Sequence, residues 1–303
     1  MIHDVEFALF RLFRAVVLAL PLKSVQRLGS ALGWAAYFLL GSRRKVALDN
    51  LRHAYPSSPE GELKKIAKNS FRNYGITLLE FFWFPNLTSS AIRDLVKVEN
   101  PALVEETLAR GNGVIFLSGH YGNWELNAVC TGVRFDISIT IIVQTQSNKK
   151  FDEAINRFRT QFGNKVVPMG ASIREIIRTL REHGCVAIAP DQSGAMEGVY
   201  IDFFGRKVAT HQGPAVFALR SGAPLLMGTL TRRDDGSYSQ RFEIVPTDNL
   251  PASEEERVIE LTQRHTAILE RQIRSRPDQW LWMHRRWKHT EESVARMKEQ
   301  ASA

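Results

Sequence analysis

The chain has 303 residues, 44% hydrophobic and 24% charged, so it is long and apolar enough to fold around a full core. This composition excludes an intrinsically disordered or collagen-like chain. Forty basic and 32 acidic side chains give a net charge of +8, and the excess lies at the two ends. Residues 1–52 carry eight basic and three acidic side chains, and residues 271–303 carry eight and four. Basic ends on a near-neutral body predict an anionic membrane surface as partner and argue against nucleic acid.

The first 52 residues are strongly apolar, but charged residues divide them. The longest uncharged run, residues 28–42, spans about 22 Å as a helix, which is short of the roughly 30 Å bilayer core. Two helices that turn at Pro21 and lie in the membrane surface fit this pattern better than one spanning helix. Arg43, Arg44 and Lys45 then mark the cytoplasmic side. Two ordinary amphipathic core helices are the alternative.

From residue 96 onwards, short apolar runs alternate with longer amphipathic runs, which is typical of an α/β fold. Predicted strands cover 96–98, 113–118, 137–143, 165–168, 185–189, 224–231 and 240–245. Predicted helices begin near Pro101, Asn123, Lys149, Ala171, Gly213 and Ser253, the last with Glu256 completing a capping box. The cluster Phe81–Phe84 is either core or a second membrane contact. We expect an α/β domain, residues 53–303, preceded by a membrane-associated helical segment, residues 1–52.

One predicted strand runs into a polar turn, Gly-His-Tyr-Gly-Asn-Trp-Glu at residues 119–125, that opens a helix. Strand ends of this kind carry reactive groups in α/β proteins. If His120 lies in the turn and Glu125 in the first helical turn, the Glu125 carboxylate accepts the Nδ1 proton of His120. The Nε2 atom is then a general base for an alcohol. Gly119 and Gly122 permit a tight turn and offer amide donors to an oxyanion, whereas a turn that only caps the helix is the competing interpretation.

Other chemistries fit the sequence less well. There is no G-x-S-x-G nucleophile elbow, no H-E-x-x-H zinc motif, no Walker sequence and no dinucleotide fingerprint. The two cysteines, Cys130 and Cys185, lie in apolar surroundings without metal-ligand spacing. We expect both to be reduced and buried.

The turn at residues 119–125 resembles the H-x4-D/E motif of the lipid A biosynthesis (late) acyltransferase family, a branch of the glycerolipid acyltransferases. Residues 189–192 with 203–205, and residues 277–288, are similar to two further blocks of that family. The chain departs from the family at residues 144–148, where members often carry an Arg-Pro pair. The resemblance covers nearly the whole chain and implies a mixed sheet flanked by helices.

The family resemblance implies transfer of a fatty acyl group from an acyl carrier protein or coenzyme A thioester to a hydroxyl of a lipid A precursor. The reaction would take place at the cytoplasmic face of the inner membrane, in lipopolysaccharide biosynthesis. No metal or other cofactor is required, because a thioester is already activated. His120 would deprotonate the hydroxyl, and Glu125 would orient and charge-balance His120.

A larger set of residues is expected to contact or shape the substrate site. Arg157 and Arg159 are two apart and cannot share a helical face, so at most one of them points into the site. Either of Arg285 and Arg286 is a candidate for phosphate binding. The set comprises Gly119, Gly122, Asn123, Arg157, Arg159, Asp191, Gln192, Phe204, Gly205, Arg285 and Arg286.

Three alternatives remain open from the sequence. The first keeps the chemistry but acylates another glycolipid or a lysophospholipid, for example a phosphatidylinositol mannoside. The second is a membrane-peripheral lipid-binding protein without catalysis. The third is a hydrolase of fatty-acyl esters, in which the same histidine activates water.

Overall fold

The structure, a computed structural model, describes residues 2–170, 173–196 and 198–294. Within these residues the chain forms nine strands and eleven α-helices. The strands are β1 (Val96–Val98), β2 (Val114–Leu117), β3 (Ile139–Val143), β4 (Lys165–Pro168), β5 (Cys185–Ile188), β6 (Val199–Asp202), β7 (Lys207–Thr210), β8 (Leu225–Arg232) and β9 (Tyr238–Ile244). The helices are α1 (Ile2–Leu18), α2 (Leu22–Leu39), α3 (Gly41–Ala54), α4 (Glu60–Trp83), α5 (Ser89–Leu95), α6 (Pro101–Ala109), α7 (Trp124–Phe135), α8 (Lys149–Thr160), α9 (Ile173–Arg181), α10 (Gly213–Ser221) and α11 (Glu254–Ser275).

Seven strands form one sheet in the order β1-β9-β8-β2-β5-β3-β4. All neighbouring strands run parallel except β8 and β9, so the predicted mixed α/β sheet is confirmed. Each of these seven strands overlaps a predicted one. Ser253 caps α11 as predicted, because its Oγ accepts from the N–H of Glu256, while the Glu256 carboxylate accepts from the Ser253 hydroxyl and not from its backbone N–H. The predicted helix start near Ala171 lies outside the described residues.

The antiparallel hairpin of β6 and β7 was not predicted from the sequence. Its turn places Phe204 and Gly205 at φ 55° and 74°, as a two-residue type I′ turn requires. Phe is uncommon at positive φ, so the usual Asn-Gly or Asp-Gly hairpin signal is absent here. The hairpin therefore depends on tertiary packing of Phe204, which lies against the Trp282 ring and beneath the Arg274 guanidinium.

The N-terminal helices α1 and α2 are joined at Pro21, as predicted, and no helix of the described chain is long and apolar enough to cross a membrane. Helix α2 packs closely along α4. A Cβ atom added at Gly33 would lie 2.2 Å from the carbonyl oxygen of Phe71, and one at Gly75 would lie 2.2 Å from that of Gly29. Glycine at these positions permits the two helix backbones to approach one another.

Helices α1 and α2 also keep large apolar side chains in solvent. Leu12 is 67% exposed and Leu39 is 80% exposed, while Val25 and Tyr37 on α2 are buried in the core. The two helices therefore combine a core-facing side with an exposed apolar side. The aromatic cluster at Phe81–Phe84, by contrast, is core, because Phe81, Phe82 and Phe84 are all buried.

A buried ion pair between Glu80 of α4 and Arg232 of β8 joins several elements. Arg232 Nη2 donates to Glu80 Oε2 at 3.0 Å, and both side chains are almost fully buried. Tyr238 and Asn123 donate to the same oxygen, and Gln26 of α2 donates to Oε1. One carboxylate thus links α2, β8, β9 and the residue that precedes α7.

Replacing Glu80 by Ala would leave the Arg232 guanidinium buried without its counter-charge. We expect the free energy of unfolding, measured by urea denaturation, to fall by about 3–5 kcal/mol. Glu175→Ala, which breaks an exposed pair with Arg178, is the control and should cost less than about 1 kcal/mol. The double variant Glu80→Leu/Arg232→Met should recover most of the loss. Equal instability of the double variant and Glu80→Ala would contradict this explanation.

Candidate active site

His120 lies in the turn between β2 and α7, and strand pairing determines its neighbour. Leu117, the last residue of β2, lies opposite Ile188, the last residue of β5. His120 follows Leu117 by three residues, and Asp191 follows Ile188 by three residues. Parallel strands that end together deliver the residues after them to the same edge of the sheet. The pairing of β2 with β5 therefore brings His120 and Asp191 together.

The Asp191 carboxylate is buried and accepts three hydrogen bonds. His120 Nδ1 donates to Oδ1 at 2.7 Å, and the backbone N–H of His120 and Nε1 of Trp280 donate to Oδ2 at 2.7 and 2.9 Å. Burial alone raises the pKa of Asp191, but the positive charge of His120 and these hydrogen bonds outweigh burial and lower the pKa to about 2. Asp191 is therefore ionised at neutral pH and holds the proton of His120 on Nδ1.

His120 is the basic member of this pair. Burial lowers its pKa, but the charge and hydrogen bond of Asp191, together with the charge of Glu125, outweigh burial and raise the pKa above its usual value. With the proton on Nδ1, Nε2 carries a lone pair, and it lies 3.1 Å from the side-chain nitrogen of Gln192, which donates to it. Asp191 at Nδ1 and Gln192 at Nε2 thus identify Nε2 as the atom that would take a proton from a substrate.

Glu125 lies in the first turn of α7, as predicted, but it pairs with Arg159 and not with His120 Nδ1. Arg159 Nη2 donates to Glu125 Oε1 at 2.7 Å and Nε donates to Oε2 at 2.8 Å. The third guanidinium nitrogen donates to Asn156. The predicted hydrogen bond from His120 to Glu125 is therefore wrong, because Asp191 occupies Nδ1 and the planar guanidinium of α8 matches the carboxylate in a bidentate way.

The turn itself is held by main-chain contacts. The N–H of Gly122 donates to the carbonyl oxygen of Gln279, and Thr77 Oγ1 donates to the carbonyl oxygen of Gly122, both at 2.9 Å. Gly122 has φ 56°, and a Cβ atom there would lie 1.8 Å from the carbonyl oxygen of Leu230. The Gly122 amide is therefore engaged in structure, so its predicted role as an oxyanion donor is not supported.

Gly119 and Asn123 also serve the turn. A Cβ atom at Gly119 would lie 2.8 Å from the Leu269 side chain. Asn123 caps α7, because its Oδ1 accepts from the N–H of Leu126 while its Nδ2 donates to Glu80. Gly119, Gly122 and Asn123 lie outside the residues that line the neighbouring cavity, so the structure does not support their prediction as substrate contacts.

A cavity of about 870 Å³ opens beside His120. Its polar lining includes Glu125 and Gln192, which lie near His120, together with Arg159. Large apolar side chains line the rest, among them Phe116, Trp124, Ile139, Ile141, Ile142, Val143, Met169, Ile173, Ile176, Phe217 and Phe242. Gln144 and Gln146, from the stretch that replaces the Arg-Pro pair, also line it. The cavity therefore offers a long apolar surface next to a general base, which suits a fatty chain with a polar reacting end.

Several predicted substrate contacts lie elsewhere. Arg159 is the member of its helical pair that faces the cavity, while Arg157 is exposed outside it. Phe204 and Gly205 form the turn of the hairpin, away from the cavity. These two residues are therefore structural in this fold, contrary to the expectation from sequence.

The prediction that Arg286 binds a phosphate is also wrong. It is 1% exposed, and its guanidinium donates to the carbonyl oxygen of Ala209 and to Thr210 Oγ1. Burial lowers its pKa to about 10. A guanidinium held in this way is not available to a substrate phosphate. Arg285, by contrast, is exposed, and its role in phosphate binding stays a prediction.

Asp191 was predicted to contact or shape the substrate site, but not to be the partner of His120. Trp280, which lies in the family-like block at residues 277–288, was not predicted as a donor to Asp191. His120 and Asp191 each follow the end of a predicted strand, at residues 118 and 189, by two residues, but only the sheet order makes these two strands neighbours. In the described part of the chain, no group of three or more His, Cys, Asp or Glu side chains is arranged to hold a metal ion.

Comparisons with known proteins show the family of this chain. The sequence model of the bacterial lipid A biosynthesis acyltransferase family matches residues 5–289. The chain is 27% identical over 275 residues to the lipid A biosynthesis palmitoleoyltransferase of Escherichia coli K12, covering 89% of this chain and 86% of that protein. It is 25% identical over 285 residues to the lipid A biosynthesis lauroyltransferase of the same organism, covering 92% and 90%.

A more distant match is to a protein named for a different acceptor. The phosphatidylinositol mannoside acyltransferase of Mycobacterium tuberculosis is 24% identical over 198 residues, which is 63% of this chain and 62% of that protein. Every relative named here is an acyltransferase. The chain belongs to the bacterial lipid A biosynthesis acyltransferase family and is an acyltransferase.

Proposed function

We propose that this chain transfers a fatty acyl group from an acyl carrier protein or coenzyme A thioester to a hydroxyl of a lipid A precursor. The single observation that supports the mechanism is His120, whose Nδ1 is held by a buried Asp191 while Nε2 is left as a base next to an apolar cavity. The names of the relatives support the lipid A precursor as acceptor.

The reaction can be written with this chain's own residues. His120 Nε2 takes the proton of the acceptor hydroxyl, and the oxygen attacks the thioester carbonyl carbon. The tetrahedral intermediate then collapses, the carbon–sulfur bond breaks, and the imidazolium returns the proton to the leaving thiolate. Asp191 stabilises the imidazolium and keeps its orientation. No metal is needed in this scheme, because sulfur is a good leaving group, so a chelator should leave transfer unchanged.

Glu125 keeps one of its two predicted roles, the charge balance of His120, and loses the other, the hydrogen bond that orients the ring. Arg159 holds the carboxylate in place from α8, and the charge of Glu125 raises the pKa of His120 without a hydrogen bond to Nδ1. We assign Glu125 to charge balance of the imidazolium. Gln192, which donates to Nε2, marks the position that the acceptor hydroxyl would take and is displaced when the acceptor binds.

A second acceptor class has support of its own. The phosphatidylinositol mannoside acyltransferase of Mycobacterium tuberculosis is similar to this chain over 63% of its length. Purified enzyme supplied with one acyl thioester and, in turn, a lipid A precursor, a phosphatidylinositol mannoside or a lysophospholipid separates these acceptors. Thioester consumption that does not depend on any acceptor would instead indicate a hydrolase, and tight lipid binding without turnover would indicate a binding protein.

We further propose that the enzyme works at the cytoplasmic face of the inner membrane, with α1 and α2 lying in the bilayer surface. The exposed apolar side chains of these helices support the membrane surface, and Arg43, Arg44 and Lys45 directly after them favour the cytoplasmic face. The apolar side chains include Leu9, Leu12, Val16, Trp34, Phe38 and Leu39. Such helices bind a membrane in proportion to the apolar area that they insert.

Substitutions at the site should distinguish the role of the Asp191 carboxylate from that of the Glu125 carboxylate. We expect His120→Ala and Asp191→Asn to lower kcat/KM by about 100-fold to 10,000-fold, because each removes the general base or its orientation. Glu125→Gln, which keeps the shape but not the charge, should cost roughly tenfold. Glu182→Gln, at an exposed position, is the control. A loss in Glu125→Gln that equals the loss in Asp191→Asn would contradict this assignment of roles.

The pH dependence follows from the direction of the His120 pKa. His120 acts as a base only when it is deprotonated, so kcat/KM should rise with pH and reach its plateau above a pKa that lies higher than 6.5. In Asp191→Asn, burial is no longer opposed by the carboxylate, so the pKa should fall and the rising limb should move to lower pH. A rising limb at the same pH in both proteins would show that another group titrates.

The membrane location is tested by one substitution on α2. Leu39→Glu places a charge at an 80% exposed apolar position, so it should weaken sedimentation of the protein with phosphatidylcholine vesicles by about tenfold. Ile259→Glu changes an exposed apolar residue on α11 and should have little effect. Equal binding of both variants would contradict the proposed orientation.

A further inference from the structure

A second cavity, of about 480 Å³, lies away from the active site. It is a groove between α2, α4, the β8–β9 turn and the segment at residues 276–279, and it shares no lining residue with the cavity beside His120. Five exposed cationic side chains line its rim: Lys23, Arg27, Arg72, Arg233 and Arg276. We call this feature the basic groove.

The cations of the basic groove are only partly neutralised. Within the residues that the structure describes, Lys23, Arg27 and Arg233 take part in no ion pair. Arg72 donates to the hydroxyl of Ser30, which is neutral. Arg276 lies 3.7 Å from Asp234 and 3.8 Å from Asp278, and the charge of Arg233 acts on the nearby Asp235. Three Asp side chains line the groove against these five cations, so an anion that enters meets a surplus of positive charge.

The floor of the groove is a fixed hydrogen-bonded surface. Arg232 Nη1 donates to Asn73 Oδ1 at 2.9 Å, and Gln26 Nε2 donates to the carbonyl oxygen of Gly236 at 2.8 Å. The Arg232 charge is balanced by Glu80, as described above. The side chains of the floor are therefore held in place before any ligand binds, while Lys23 and Arg27 on the rim form no ion pair within the described residues.

Helix α2 connects the groove to the exposed apolar surface. Lys23, Arg27, Ser30, Trp34 and Phe38 are spaced by four, three, four and four residues, so they lie on one face of the helix. The first three line the groove, and Trp34 and Phe38 are 51% and 52% exposed. Cations followed by exposed aromatic residues along one helix face are the arrangement of a helix at a membrane–water boundary.

We propose that the basic groove binds the phosphate-bearing headgroup of an anionic membrane lipid while Trp34 and Phe38 contact the acyl region. This inference rests on the proposed membrane location of the enzyme, and it adds a lipid site that is separate from the cavity beside His120. The apolar continuation of the cationic face favours a lipid headgroup over an acidic protein as the occupant.

The test compares binding of the full chain to two kinds of vesicle, pure phosphatidylcholine and phosphatidylcholine with 20% phosphatidylglycerol. In the variant Lys23→Gln/Arg27→Gln/Arg233→Gln, we expect affinity for the anionic vesicles to fall by about 100-fold, since each of the three cations contributes roughly fivefold at an anionic surface. Affinity for the neutral vesicles should not change. Lys97→Gln/Arg110→Gln/Arg220→Gln removes the same charge at exposed positions outside the groove and should change anionic binding less than about threefold.

Three results would overturn the proposal. Equal losses in both triple variants would show a general charge effect. Unchanged binding of the groove variant to anionic vesicles would show that the groove cations are solvated and bind no lipid. Unchanged vesicle binding with a raised KM for the acyl carrier protein thioester, but not for the coenzyme A thioester, would assign the groove to an acidic protein. Acyl transfer to detergent-dispersed acceptor is measured separately, so a failure of the proposed function is distinguishable, and melting temperatures establish that each variant is folded.

Discussion

The active site depends on one buried carboxylate. Asp191 accepts hydrogen bonds from the ring and backbone of His120 and from the indole of Trp280, and so joins the ends of two strands to the C-terminal segment. A buried carboxylate with fewer partners would bear an uncompensated desolvation cost. Because these contacts also lower the pKa of Asp191 to about 2, the same interaction that stabilises the fold determines which nitrogen of His120 is the base.

A second buried carboxylate supports the same turn from the other side. Glu80 receives hydrogen bonds from Arg232, Tyr238 and Asn123, and Asn123 is the residue that caps α7 directly after the His120 turn. The turn is thus held at its start by Asp191 and at its end by Glu80. Gln26 connects this second network to α2, so the helix with the exposed apolar face is attached to the elements that position the base.

The sequence predicted the α/β class, the seven strands of the main sheet and the turn that carries His120, because each depends on local periodicity and turn chemistry. It failed for the β6–β7 hairpin, whose Phe204–Gly205 turn lacks the usual signal, and for the partner of His120. Glu125 was predicted as the partner of His120 because it lies five residues further along the chain, in the first turn of the following helix. In the structure, Arg159 from α8 takes Glu125, and Asp191, 71 residues away, takes His120.

The sequence by itself determined the family motif, the basic ends, the apolar N-terminal helices with their turn at Pro21, and the candidacy of His120. Only the tertiary structure decided which carboxylate orients that histidine, which of Arg157 and Arg159 faces the cavity, and that Arg286 is buried. The physical reason is that local pattern specifies the elements, whereas the order of strands in the sheet specifies which strand ends are neighbours. A buried charge finds its partner across that sheet edge, and the distance along the chain does not limit the choice.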